Sequence, residues 1–147
     1  MTNEKKELEE IEAAEFASQI LKGRRDFRNV KLDHYDPQGT HSWLYSELRK
    51  YLYQENVQGV LREQPFDFSN GVIKGNFFGD LKMPYTIARD TEFHTCLGSD
   101  FSYGDFRKTR FERGAFETSF IGADLSDASF SDSLTRVNFS KANLKLK

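Results

Sequence analysis

The residues in this chain that could do chemistry are few and scattered. His94 and Cys96 stand close together, the one place where an imidazole lies near the single thiol. Such a pair could act as base and nucleophile, but a catalytic constellation also needs a group that orients the base, and both positions read as outward-facing. One His and one Cys fall short of the four ligands of a structural metal site. His34 and His41 lie in a turn region with no acidic or Cys partner. Gly71, Gly75 and Gly79 are spaced by four, but without the lysine of a phosphate-cradling loop. Asp100, Asp105 and Asp124 each precede a large apolar residue, a regularity that points to structure rather than to paired catalytic carboxylates. The expectation is a protein that is not an enzyme, with no cofactor and no metal.

Charge excludes two further classes. Arg24, Arg25, Arg28 and Lys31 form one basic cluster, and Arg107, Lys108, Arg110 and Arg113 another. Either could contact an anion. Yet net charge is −2, and residues 64–147 carry eleven basic and eleven acidic side chains. A nucleic-acid binder should show a basic excess, and a protein imitating DNA an acidic one. No nucleic-acid partner is expected.

The elements that must position these groups come next. A chain of 147 residues is long enough for one domain with its own core. No apolar run approaches the ~18 residues of a membrane span. Residues 1–10 are charged and lack the apolar stretch of a signal peptide, and a lone Cys cannot form an internal disulfide, so a cytoplasmic protein with no membrane partner is expected. Asn3 to Lys22 reads as a helix with Ala13, Phe16, Ala17 and Ile20 on one face and Gly23 as its C-cap. Asp36-Pro37-Gln38-Gly39 is a turn signal. A second helix, capped by Thr40 or Ser42, carries Leu44, Leu48, Tyr51 and Leu52 and continues to about Arg62, where Pro65 stops it. Trp43, Tyr45 and Tyr53 are its candidate partner-binding residues.

From Phe66 onward a different rhythm takes over. Phe68, Ile73, Phe78, Met83, Ala88 and Phe93 are five apart, and Phe101, Phe106, Phe111, Phe116, Phe120, Leu125, Phe130, Leu134, Phe139 and Leu144 continue in fives with occasional fours. Small residues such as Gly104, Thr109, Gly114 and Ala123 stand two positions before the large ones. A period of five fits neither an amphipathic helix nor strand alternation, and fixed self-similarity calls for a solenoid. Phe101, Phe120 and Phe139 recur at one constant offset, and Phe106, Leu125 and Leu144 recur at the same offset, which reads as one coil. That offset also sets Lys108 over Asp127, Arg113 over Asp132 and Glu117 over Arg136.

Ala123-Asp124-Leu125-Ser126-Asp127 and Ala142-Asn143-Leu144-Lys145 match the A-(D/N)-L-x-x unit of the pentapeptide-repeat family, and Ala128-Ser129-Phe130-Ser131-Asp132 is close. The chain resembles that family over residues 66–147, with one partial repeat at 23–32. The Gly23-Arg24-Arg25-Asp26-Phe27 stretch after a short helix is similar to cyanobacterial members. The resemblance implies an all-β dominated fold, a right-handed four-sided β-helix of about four coils, with two N-terminal helices capping or flanking it. Residues 1–65 would form the helical N-terminal region and 66–147 the repeat. The expected function is a non-catalytic scaffold or regulatory protein–protein interaction module. The alternatives are a subunit or assembly factor of a larger complex and, on the resemblance to quinolone-resistance members, a DNA-mimicking protector of topoisomerase. An uncovered last coil, with Leu146 near its edge, suggests a homodimer through the C-terminal coil.

Overall fold

Each repeat folds as a short extended side closed by a tight turn. In Asp105–Thr109 the Thr109 amide donates to the Phe106 carbonyl at 3.2 Å, and Lys108 has φ of 60°, the positive φ that a type II turn requires at its third position. The Asp105 carboxylate accepts the Arg107 amide at 3.3 Å. Asp67, Asp100, Asp124, Asn138 and Asn143 accept the amide two positions on in the same way. The acid or amide before the central residue is therefore a local cap on the turn.

The computed structural model describes residues 7–34, 42–75, 79–94, 96–132 and 134–145, with backbone alone for His34, Gly75, Cys96 and Leu97. Strands β1 (Glu9–Glu12), β2 (Val30–His34), β3 (Val72–Gly75), β4 (Glu92–Phe93), β6 (Arg110–Phe111) and β8 (Ser129–Phe130) form one parallel sheet in that order. A second parallel sheet holds β5 (Cys96–Leu97), β7 (Ala115–Phe116) and β9 (Leu134–Thr135). Isolated parallel bridges make two further ladders: Asp26, Asp67, Ile87, Asp105, Asp124 and Asn143, and Lys82, Asp100, Ser119 and Asn138. Past the helical segment, each rung lies about four five-residue units of chain from the next. In the first sheet Val72 pairs with Glu92, Glu92 with Arg110, and Arg110 with Ser129, in nearly equal steps. The step from Lys31 to Val72 is much longer, because the helical segment is spliced into that turn of the chain.

Phenylalanines fill the space between the ladders. Phe93 stacks on Phe111 and Phe111 on Phe130, while Phe101 stacks on Phe120 and Phe120 on Phe139. The two columns meet edge to face, as at Phe111–Phe120 and Phe130–Phe139, an arrangement the ring quadrupole favours. Phe93, Phe101, Phe106, Phe111 and Phe120 are wholly buried, worth roughly 1.5–3 kcal/mol each. Small residues fill the remaining inward positions because nothing larger fits: a Cβ at Gly104 would lie 2.8 Å from the Thr86 carbonyl oxygen. Inward hydroxyls of Thr86, Thr91, Thr109 and Thr118 donate to backbone carbonyls.

Helix α1 (Ala13–Leu21) closes the first end of the stack. Phe16 meets Phe27 at 4.8 Å and Phe68 at 5.8 Å. The helix ends in a Schellman motif, with Arg24 and Gly23 amides donating to Gln19 and Ile20 carbonyls and Gly23 at φ of 102°.

Three expectations are corrected. The helix expected from Asn3 is shorter: Glu9–Glu12 is strand β1, paired in parallel with β2. Ile11 alone points in while Glu9, Glu10 and Glu12 point out, and Arg24 and Lys31 hold Glu9 and Glu10 at 2.9 and 3.7 Å. The second expected helix is two, α2 (Ser42–Leu52) and α3 (Glu55–Gln58), so the described chain has three helices. The break falls at Gln54, whose backbone is extended, and the Gln58 side-chain amide bridges it by donating to the Leu52 and Lys82 carbonyls. Of the three outward charge pairs, Glu117–Arg136 forms at 3.3 Å; Lys108 and Asp127 line one groove without an ion pair between them among those described. The turn around residues 36–39, His41 and Phe78 lie outside the described residues.

Candidate functional site

The helical segment is fastened to the repeat by a small polar lock. Arg25 lies with its guanidinium 4.7 Å from the Phe66 ring centre and 5.6 Å from that of Tyr51, and donates to the Tyr51 hydroxyl at 2.6 Å. It also donates to the Arg24 carbonyl, while its Nε is buried without a hydrogen-bond partner among the described atoms. Cation–π contacts of this kind strengthen as they are desolvated. Leu44, Leu48 and Leu52 are buried beneath α2.

That anchoring turns part of the aromatic set outward. Trp43 is 65% exposed and Tyr53 59%. The Lys82 ammonium sits 5.7 Å from the Tyr53 ring centre. Tyr45 is half-buried and packs against the core. Val60 is 41% exposed, although its place in the sequence suggests part of the buried stripe. Tyr103 is a surface residue that the repeat pattern does not single out. It is exposed, stacks on Tyr85 at 5.5 Å, and lies so close over Gly122 that a Cβ there would stand 2.7 Å from its ring.

The basic residues are largely spoken for. Arg89 and Arg107 both bond the Asp105 carboxylate, at 2.6 and 2.9 Å, and Arg107 approaches Asp124 at 4.0 Å. Burial pushes the Asp105 carboxyl up, but the hydrogen bonds from Arg107 and Arg89 outweigh it and the net shift is downward. Arg28 holds Asp26 at 2.8 Å and, with its backbone amide, lowers the carboxyl pKa to about 2. Arg110 faces Glu112 at 3.9 Å. Most members of the linear basic clusters thus have acidic neighbours, on the Asp26–Asp105–Asp124 ladder and beside β6.

His94 has an acidic neighbour: its Nε2 is 3.7 Å from Glu92. The Cys96 side chain lies outside the described residues, as does that of His34. Among the described residues, no three His, Cys, Asp or Glu side chains converge as metal ligands, and no helix is long and apolar enough to cross a membrane.

The turn-and-ladder unit, repeated with a capping acid and a central Phe or Leu, has a counterpart among known repeats. A family model described as pentapeptide repeats (8 copies) matches residues 116–145. The chain carries pentapeptide repeats over that segment. No curated protein and no solved structure matches the chain. Within the matched segment the pentapeptide repeat loses its cover. Phe130 and Phe139 are only half-buried, and Leu134 and Leu144 are 44% and 42% exposed. The far end of the stack therefore presents an apolar surface, whereas α1 seals the near end.

Proposed function

We propose that this pentapeptide-repeat protein is a non-catalytic, cytoplasmic scaffold that engages a protein partner through its helical insertion. The repeat is a right-handed four-sided β-helix of about four coils, and the insertion is the module it displays. The observation that carries this reading is the outward placement of Trp43 and Tyr53 on a segment clamped to the repeat by Arg25. Aromatic side chains held on a rigid base supply contact area with little entropy to lose, and they are enriched at interface centres.

The ladder of Asp26, Asp105 and Asp124 gives no support to DNA mimicry, because Arg28, Arg89 and Arg107 neutralise it. The assembly-factor reading uses the same aromatic surface and differs only in how long the partner stays.

The test is affinity capture from the native cell with wild type and a Trp43→Ala/Tyr53→Ala variant of equal thermal stability. A partner held by wild type and lost by the variant is expected. A partner retained equally by both would remove the insertion as the binding site.

A second reading, compatible with the first, is a homodimer through the last coil. Leu134 and Leu144 favour it.

A further inference from the structure

Asn70-Gly71 is the only Asn-Gly dipeptide in the chain; the fold suits Asn at the first position and requires Gly at the second. Asn70 holds a turn position with φ of 63°, a conformation that Asn tolerates better than most. Gly71 is buried, and a Cβ there would lie 2.5 Å from the Val30 carbonyl oxygen and 3.0 Å from that of Phe68. The turn thus brings together the side-chain amide and unhindered backbone nitrogen most prone to cyclise.

The chemistry balances without a cofactor. The Gly71 nitrogen attacks Asn70 Cγ, a new C–N bond forms, and the Cγ–Nδ2 bond breaks. Ammonia leaves with the proton from the Gly71 amide. Water then opens the five-membered imide on either side. One opening gives aspartate; the other gives isoaspartate, which routes the backbone through the former side chain and lengthens it by one methylene.

In the folded protein the attacking nitrogen is engaged. The Gly71 amide donates to the Phe68 carbonyl at 3.1 Å, the Asn70 amide to the Arg89 carbonyl at 3.0 Å, and the Gly71 carbonyl accepts from the Glu92 amide at 3.0 Å. Cyclisation must rotate this peptide unit and break bonds to the neighbouring rung. We propose that Asn70-Gly71 is a latent backbone-modification site, shielded by the ladder and released by unfolding, at which isoaspartate formation makes the unfolding irreversible. An added methylene shifts the register of every residue after it. β3 begins at the very next residue, Val72, and pairs with β2 and β4, so the rung cannot reform.

Asn29 is the internal control. It has φ of 61° at the equivalent turn but precedes Val30, whose branched side chain hinders attack.

The test incubates the protein at mildly alkaline pH, with and without concentrated urea, and follows the peptides containing Asn70 and Asn29 by mass spectrometry, separating aspartate from isoaspartate. Asn70 should deamidate more than about tenfold faster in urea, as expected for a site whose reaction needs the open state, while Asn29 stays intact in both. After removal of urea, chains carrying isoaspartate at 70 should fail to regain the native circular dichroism and melting transition. An Asn70→Asp variant, which keeps the normal backbone, should regain both. Equal deamidation rates in the two conditions, or full refolding of the isoaspartate chains, would overturn the proposal.

Discussion

The rings of Phe111 and Phe130 lie 4.6 Å apart and 5° from parallel, on neighbouring rungs of one parallel sheet. That one contact states the organisation of the repeat: a ring stacks on its equivalent in the next rung, as Phe93 does on Phe111 and Phe101 on Phe120. Phe111 is wholly buried and also meets Phe93, Phe106 and Phe120. Truncation to Ala should therefore cost about 3–5 kcal/mol, cavity included. Phe139, near the open end and half-buried, should cost less than ~2 kcal/mol when truncated. Urea denaturation of the two variants checks the ranking, and equal losses would contradict the end-to-centre gradient.

Lys108 tests the turn. Its φ of 60° disfavours side chains, most of all β-branched ones. Lys108→Gly should be neutral or slightly stabilising, and Lys108→Val should destabilise by roughly 1–3 kcal/mol. Its charge is not the issue, since Lys108 makes no described ion pair with Asp127. A melting temperature that responds alike to both substitutions would argue against a strained turn.

Much of this is legible in the sequence, and what is not has a common cause. The five-residue beat, the constant coil offset and the buried Phe columns follow from spacing alone. Strand β1 does not: Glu9, Glu10 and Glu12 have poor strand propensity, and their partners Val30, Lys31 and Asp33 lie beyond the whole of α1. The charge pairs are half-legible for a similar reason. Asp105 is already fixed by capping the Arg107 amide, so its second oxygen meets Arg107 on the same turn and Arg89 diagonally across on the adjacent rung, a pairing that the constant offset does not give. Exposure of Trp43 over Tyr45 needs the packing direction of α2, which an apolar stripe alone leaves open.

Acid should expose the Asp26 contribution. Its carboxyl is lowered from 3.8 to about 2, a depressed folded-state value. The associated stability is present above the unfolded pKa near 3.8 and fades as pH falls toward about 2. The pair is exposed, so the effect is small and screened by salt. Asp26→Asn keeps an oxygen for the Arg28 amide and removes the charge. Between about pH 4 and 2, wild type should lose more stability than the variant, and less so in high salt. Parallel curves would show that the ion pair contributes nothing.

Arg25 should control the insertion without controlling the repeat. Arg25→Ala removes the contacts to Tyr51 and Phe66, and Arg25→Lys keeps the charge but not the planar fork. In both variants amide exchange across Ser42–Gln58 should quicken, while Phe101–Phe130 remains protected, because the Phe columns there do not depend on the lock. Exchange that quickens uniformly would mean that insertion and repeat unfold as one unit.

The open end makes the last prediction. α1 occupies the near end, with Phe16 and Ile20 wholly buried, so copies cannot stack head to tail without expelling it. Among the described residues, the far end carries the exposed Leu134 and Leu144 and offers a surface for pairing. Association through one self-complementary surface closes at two copies instead of growing into a fibre. Leu146 lies outside the described residues, so Leu144→Glu is the sharper probe. Sedimentation of wild type should give a concentration-dependent mass between one and two chains. Leu144→Glu should give one chain at all concentrations with an unchanged fold, because a carboxylate at that edge would be buried without a partner in the pair. Species larger than a dimer in wild type would show that the near end is not sealed.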